Sequence, residues 1–218
     1  MKIGVISDIH AQYDNLMAAV RFLRGHGVDG IVCAGDLVEK GDDGDRVVRT
    51  MRNVPTVLGN HDEAAISNQA WFRREMNPDT VRDTLAQLDR GEHIETRLLS
   101  DTALAILEKL PFQRTFTVKG INIQMVHGSP KSNVHYIFDT TSDESLRDTV
   151  STVTADILIC GHTHTPLIRW IDDLLVLNPG AVMKNPVYPI THTCGILTLP
   201  EKHFAVYSIE TGEIILTT

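Results

Sequence analysis

The sequence predicts an α/β domain in which two β-sheets pack face to face with helices outside, and three observations predict it. Five short polar blocks each follow an apolar, β-rich run: Asp8-Ile9-His10, Gly35-Asp36 with Gly41, Gly59-Asn60-His61-Asp62, His127-Gly128 and Gly161-His162-Thr163-His164. The early runs alternate with a segment of helical spacing, which is the pattern of βαβ units with parallel strands. From Phe112 onward the pattern is mostly β, with hairpin punctuation.

Ile3 to Ile6 reads as the first strand. Asp14 is placed to cap the helix that follows, on which Leu16, Val20 and Leu23 recur at helical spacing and which Gly25 and Gly27 end. A second strand near Asp29 to Ala34 leads into Gly35-Asp36. A short helix around Asp45 to Met51 then returns the chain to a third strand, Val54 to Leu58. Between Asp62 and Pro111 the strand pattern stops, and Trp71, Phe72, Met76, Val81, Leu85 and Leu88 fall at roughly helical intervals. This stretch, about 63–110, is expected as a helical insertion within a single domain spanning 1–218, broken into two helices at Asn77-Pro78-Asp79. It would serve either as a cap at the site mouth or as a layer over one sheet face.

Thr115 to Lys119 and Ile121 to Val126 form a hairpin pattern about Gly120. A helix near Asp143 to Val153 precedes a strand from Ile157 to Cys160. Leu167 to Leu177 holds a strand pair about Asp172-Asp173, and Thr193 to Leu199 with Phe204 to Ile209 makes another.

With 218 residues and 42% hydrophobic content the chain can bury a full core. The formal charge of −8, with no Lys/Arg cluster, argues against long nucleic acid as a partner, because such proteins carry a basic footprint. Cys33, Cys160 and Cys194 stand in apolar stretches without paired spacing and read as reduced core residues. No apolar run approaches the roughly 20 residues a bilayer requires, and Lys2 is followed by too few apolar residues for a signal peptide. The expected location is the cytoplasm, without a membrane partner. The oligomeric state is left open.

Strand followed by polar loop, repeated five times, puts each block at the carboxyl end of a strand, where α/β sheets gather ligands. Asp8 and His10 can turn toward one point, Asp36 offers a carboxylate able to bridge two cations, and Asn60 supplies a neutral carbonyl. His127, His162 and His164 complete a donor set large enough for two ions. Mixed oxygen and imidazole donors suit Mn, Fe, Co or Zn rather than Ca. His26, His93, His135, His192 and His203 lack such company and read as ordinary surface or core residues, and Asp42, Asp43 and Asp45 as a solvated loop.

In this order and spacing, the five blocks from Asp8 to His164 resemble the calcineurin-like metallophosphoesterase family, and Asn178-Pro179-Gly180 resembles a turn of its small bacterial and archaeal phosphodiesterases. The resemblance implies an α/β/β/α sandwich and two divalent ions, manganese foremost and Fe, Co, Ni, Zn or Mg as alternatives. By similarity Asp8, His10, Asp36 and His164 would hold one ion, and Asp36, Asn60, His127 and His162 the other, with Asp36 bridging. His61 would stand outside the ligand set and protonate the leaving oxygen. Either Asp62 or Glu39 would orient it, with Asp62 favoured because it lies inside the block. The implied reaction is hydrolysis of a small phosphodiester or phosphomonoester, nucleotides among them, by a hydroxide held between the ions.

Two other functions compete with this one. A phosphoprotein phosphatase is weakened because Glu39-Lys40 stands where those members have an Asp-Arg pair, and Asp62 where they have Glu; a Lys is a point charge, not a bidentate fork. A non-catalytic scaffold is disfavoured because His61 is present.

Overall fold

Alternation along the strands decides the layering, since successive side chains of a strand point to opposite faces. The computed structural model describes residues 1–187 and 190–218. In chain order it contains β1 (Lys2–Ile6), α1 (Tyr13–Gly25), β2 (Gly30–Cys33), α2 (Gly44–Met51), α3 (Asn60–Glu75), α4 (Pro78–Asp89), α5 (Asp101–Leu107), β3 (Gln113–Val118), β4 (Ile121–Val126), α6 (Asp143–Thr149), β5 (Ile157–Ile159), β6 (Leu167–Ile171), β7 (Leu174–Asn178), β8 (Thr193–Thr198), β9 (His203–Ser208) and β10 (Ile214–Thr217).

The strands form two mixed five-stranded sheets, ordered β10-β9-β8-β1-β2 and β3-β4-β5-β7-β6. In the first, β1 runs parallel to β2 and antiparallel to β8; in the second, β4, β5 and β7 run parallel, with antiparallel β3 and β6 at the edges. Ile3 and Val5 of β1, Ile123 and Met125 of β4, Ile157 and Ile159 of β5, and Leu175 and Leu177 of β7 meet in one apolar layer between the sheets, with Phe204 from β9. The intervening positions face outward. Ile6 packs with Leu16 and Leu23 of α1, Val47 and Val48 of α2 and Leu107 of α5. Leu158 and Val176 pack with Leu146 of α6 and with Ile137. The result is the expected α/β/β/α sandwich, and no helix among the described residues is long and apolar enough to cross a membrane.

Several expectations change in detail. Asp14 does not cap α1: the N-cap position is Gln12, without a side-chain cap bond, and Asp14 falls in the first turn, where its charge favours the helix dipole. Val54 to Leu58 is not a ladder strand. It touches β2 through a single bridge, Cys33 to Thr56, since Pro55 has no N–H to donate. The helix expected to run to Val153 ends at Thr149. Asp45 is not solvated: its carboxylate is buried, accepting from Arg49 Nε at 2.6 Å and from the Ser100 backbone N–H at 2.8 Å. The break at Asn77 is present, and its side chain caps α4 by accepting from the N–H groups of Asp79 and Thr80. The three cysteines are buried and free, and burial raises each thiol pKa, to about 12 for Cys160 and Cys194.

Candidate metal centre

The parallel strands β1, β2, β4 and β5 end at the same edge of the sandwich, and their following loops carry Asp8 and His10, Asp36, His127, and His162 with His164. Asn60 and His61 open α3, beside Gly59. Sharp turns are needed to aim so many side chains inward. Asp8, His10, Asp36, Glu39, Lys40, His162 and His164 all lie in the left-handed region, with φ between 51° and 66°. Each such residue costs about 1–3 kcal/mol, so surrounding bonds must hold it. The backbone N–H groups of Ile9 and His10 both donate to the Asp36 carbonyl, at 2.9 and 3.0 Å, locking the first loop onto the second. Gly59 is required by close approach: a Cβ there would lie 2.1 Å from Asp36 Oδ1.

The side chains gather into two clusters that share one residue. Donor atoms of Asp8, His10, Asp36 and His164 lie within 4.8 Å of one another, and so do those of Asp36, His127 and His162. Asn60 Oδ1, 3.0 Å from His127 Nε2, joins the second cluster. His127 Nδ1 donates to the Ala34 carbonyl at 2.7 Å, which leaves Nε2 as its inward donor atom. His10 is set similarly by its Nδ1 contact to the Val38 carbonyl at 3.4 Å. Asp8 Oδ1 and Asp36 Oδ2 are buried against histidine ring nitrogens, His164 Nε2 at 3.2 Å and His127 Nε2 at 3.3 Å, and His162 Nε2 is buried without a hydrogen-bond partner among the described residues. Buried polar atoms so placed are costly, and divalent cations in the two clusters would satisfy all three. The donor set therefore fits a first-row metal.

The electrostatics follow from burial among opposite charges. Burial raises the carboxyl pKa values of Asp8 and Asp36, but hydrogen bonding and charge from neighbouring histidines outweigh it, His164 and His127 at Asp8 and His127 at Asp36. Both stay below the usual range. Burial disfavours protonation of His127, yet the Asp36 carboxylate pushes its pKa up to about 9. Burial lowers His10 to about 4 despite Asp8 and Asp36, and burial with the His127 charge lowers His162.

His61 stands at the edge of the first cluster, edge-on to His10 with ring centroids 4.9 Å apart. Its Nδ1 lies 2.8 Å from Glu39 Oε2. Asp62, expected to orient it, does not. Its carboxylate is buried, accepting backbone N–H bonds from Gly59 and Asp36 at 3.0 Å each, Leu37 at 2.8 Å and Val38 at 3.2 Å. Burial and the Asp36 charge push Asp62 up to about 7 against those bonds. As residue N3 of α3 it points back to its own N-terminus, so helix geometry aims it away from the His61 ring.

Three further residues contribute to the site, and of these the sequence left only Tyr136 unmarked. Lys40 places Nζ 3.2 Å from His10 Nε2. Asn178 donates to the Gly161 carbonyl at 2.7 Å and to Thr163 Oγ1 at 3.1 Å, so the Asn178-Pro179-Gly180 turn braces the loop carrying His162 and His164. Tyr136 stacks on the His162 ring at 4.2 Å, and nothing in its local sequence signals this. A cavity of 280 Å³ adjoins the second loop, lined by Glu39, Lys40, Ala65, Asn68, Phe72 and Arg97, so α3 and the segment after α4 wall the space beside Glu39 and Lys40.

Known proteins bear on this geometry. An uncharacterized protein of Methanocaldococcus jannaschii is 25% identical over 186 residues, covering 83% of this chain and 69% of its own. A phosphodiesterase of the same archaeon is 22% identical over 184 residues, covering 83% of each chain. The crystal structure of a metallophosphoesterase from Sphaerobacter thermophilus superposes with a TM-score of 0.64 at 23% identity, covering 94% of this chain and 87% of that one, which is a likeness of fold. The family model of the calcineurin-like phosphoesterase superfamily domain matches residues 1–202. The chain belongs to the calcineurin-like phosphoesterase superfamily, and with its buried Asp/His cluster it is a metal-dependent phosphoester hydrolase.

Proposed function

We propose that the chain is a dinuclear phosphoesterase that hydrolyses small phosphodiesters or phosphomonoesters, with two divalent ions, manganese foremost, bridged by Asp36. The observation that carries this reading is the sharing of Asp36 between two donor clusters. Asp8, His10, Asp36 and His164 would hold one ion; Asp36, Asn60, His127 and His162 would hold the other. Such ions supply Lewis acidity, polarising a phosphoryl oxygen and making water nucleophilic at neutral pH.

The chain's own residues supply positioning and proton transfer. His61, held through Nδ1 by Glu39, presents Nε2 to the ester oxygen that departs and gives it a proton. Lys40 supplies a point charge near the phosphoryl oxygens, in place of a guanidinium fork. The left-handed loops keep these groups preorganised, so little rearrangement is needed as charge develops.

The test is hydrolysis of phosphomonoesters, phosphodiesters, dinucleoside polyphosphates and phosphopeptides by metal-stripped protein with Mn, Fe, Co, Ni, Zn or Mg added back singly. Metal-restored turnover of small esters supports the reading. Preference for phosphopeptides would replace it with a protein phosphatase, and two bound ions without turnover would replace it with a scaffold.

A further inference from the structure

The loop after His127 does two things at once. Its Val134 backbone hydrogen-bonds the His162 ring, and two residues later Tyr136 lies flat on that ring, at 4.2 Å and 20°. Phe138 continues the stack, 5.4 Å from Tyr136 and 13° from parallel. Between them Ile137 is buried in the layer under α6, so the two aromatic side chains point out on a firmly rooted backbone. The loop is tied further by Asn133 Nδ2 to Glu63 Oε2 at 2.9 Å and by His135 Nδ1 to Ser129 Oγ at 3.0 Å. Tyr136 and Phe138 nevertheless leave 51% and 41% of their surfaces exposed.

Resting on the phosphoesterase reading above, we propose that Tyr136 and Phe138 form a stacking shelf for the nucleobase of a nucleotidyl ester whose phosphorus lies at the Asp36 centre. The rings are already near-parallel, which is the geometry that adds another planar ring. The shelf starts on His162, a member of the second donor cluster, so it rises from that side of the site and its occupant is joined to the phosphorus through the sugar. His61 contacts His10 of the first cluster, so the shelf serves the ester arm that stays on the phosphoryl group. A second copy of the chain is a poor occupant. A few side chains fall far short of the roughly 800 Å² per partner that stable association buries. The charge of −8 disfavours a long polyanion, leaving a single nucleotide.

The experiment is calorimetric titration of the manganese-loaded full chain with AMP and with ribose 5-phosphate, which differ by the base, each as its non-hydrolysable 5′-phosphonate. The shelf predicts AMP tighter by about tenfold, an advantage that Phe138→Ala cuts by about fivefold or more and that Tyr136→Phe retains. Equal affinity for the two ligands, an AMP advantage untouched by Phe138→Ala, or a dimer that Phe138→Ala dissociates would overturn it. Hydrolysis of bis(p-nitrophenyl) phosphate separates the two claims. Turnover without an AMP advantage removes the shelf and leaves the phosphoesterase; an AMP advantage in a chain that hydrolyses no phosphate ester leaves the shelf and removes the phosphoesterase.

Discussion

Glu39 Oε2 lies 2.8 Å from His61 Nδ1, joining two residues 22 apart in sequence, while the nearer carboxylate, Asp62, is spent on backbone N–H groups. The two acids therefore separate by experiment. Glu39→Gln is expected to lower kcat about tenfold or more with metal content and thermal stability unchanged, because it weakens only the orientation of the acid. Steady-state kinetics with metal analysis reads this; an unchanged kcat would remove Glu39 from the mechanism.

Asp62→Ala should act on the fold. It strips a shared acceptor from four backbone N–H groups in a buried loop, each costing about 1–3 kcal/mol when left unpaired. Thermal unfolding of the metal-free variant should show a clear drop in midpoint. A wild-type midpoint would mean that the loop finds other acceptors.

His61→Ala should leave metal content intact and reduce turnover about 10²–10⁴-fold, the usual range for general acid catalysis. The loss should be smallest on esters with good leaving groups such as p-nitrophenolate, which need little protonation. An equal loss on all esters would assign His61 to phosphate binding.

Metal binding should release a proton. Asp36 holds His127 protonated up to about pH 9, whereas a metal ligand must be neutral. At pH 7 the incoming ion therefore displaces that proton, and affinity rises with pH before levelling above about 9. His10, lowered to about 4, contributes nothing in this window. Calorimetry in buffers of different ionisation enthalpy reads the released proton; heats independent of buffer would contradict it.

The site was largely legible because its chemistry is written in contiguous blocks. Asp8, His10, Asp36, His127, His162 and His164 each follow an apolar strand that ends at one sheet edge, and Asn60 opens α3 beside them. What was not legible depends on contacts across the chain. The choice between Glu39 and Asp62 turns on the direction of the α3 N-terminus, and local adjacency pointed to the wrong carboxylate. Tyr136 meets His162 across 26 positions, with no periodicity to announce it. Among the strands, the β-rich runs after Phe112 announced two packed sheets, but Ile157, Leu158 and Ile159 are all apolar, so which of them faces the other sheet and which faces α6 emerges only in the structure. Val54 to Leu58 looked like a strand because apolar content does not reveal that Pro55 lacks a donor for the ladder.

The central claim is that two ions share the Asp36 carboxylate, and metal stoichiometry of Asp36→Asn against the unaltered chain tests it most directly. Elemental analysis after manganese loading and desalting should give two ions per wild-type chain and less than one per variant, because a neutral amide weakens both clusters together. Two ions retained by Asp36→Asn, or loss of one ion with the other held at full occupancy, would contradict the bridge.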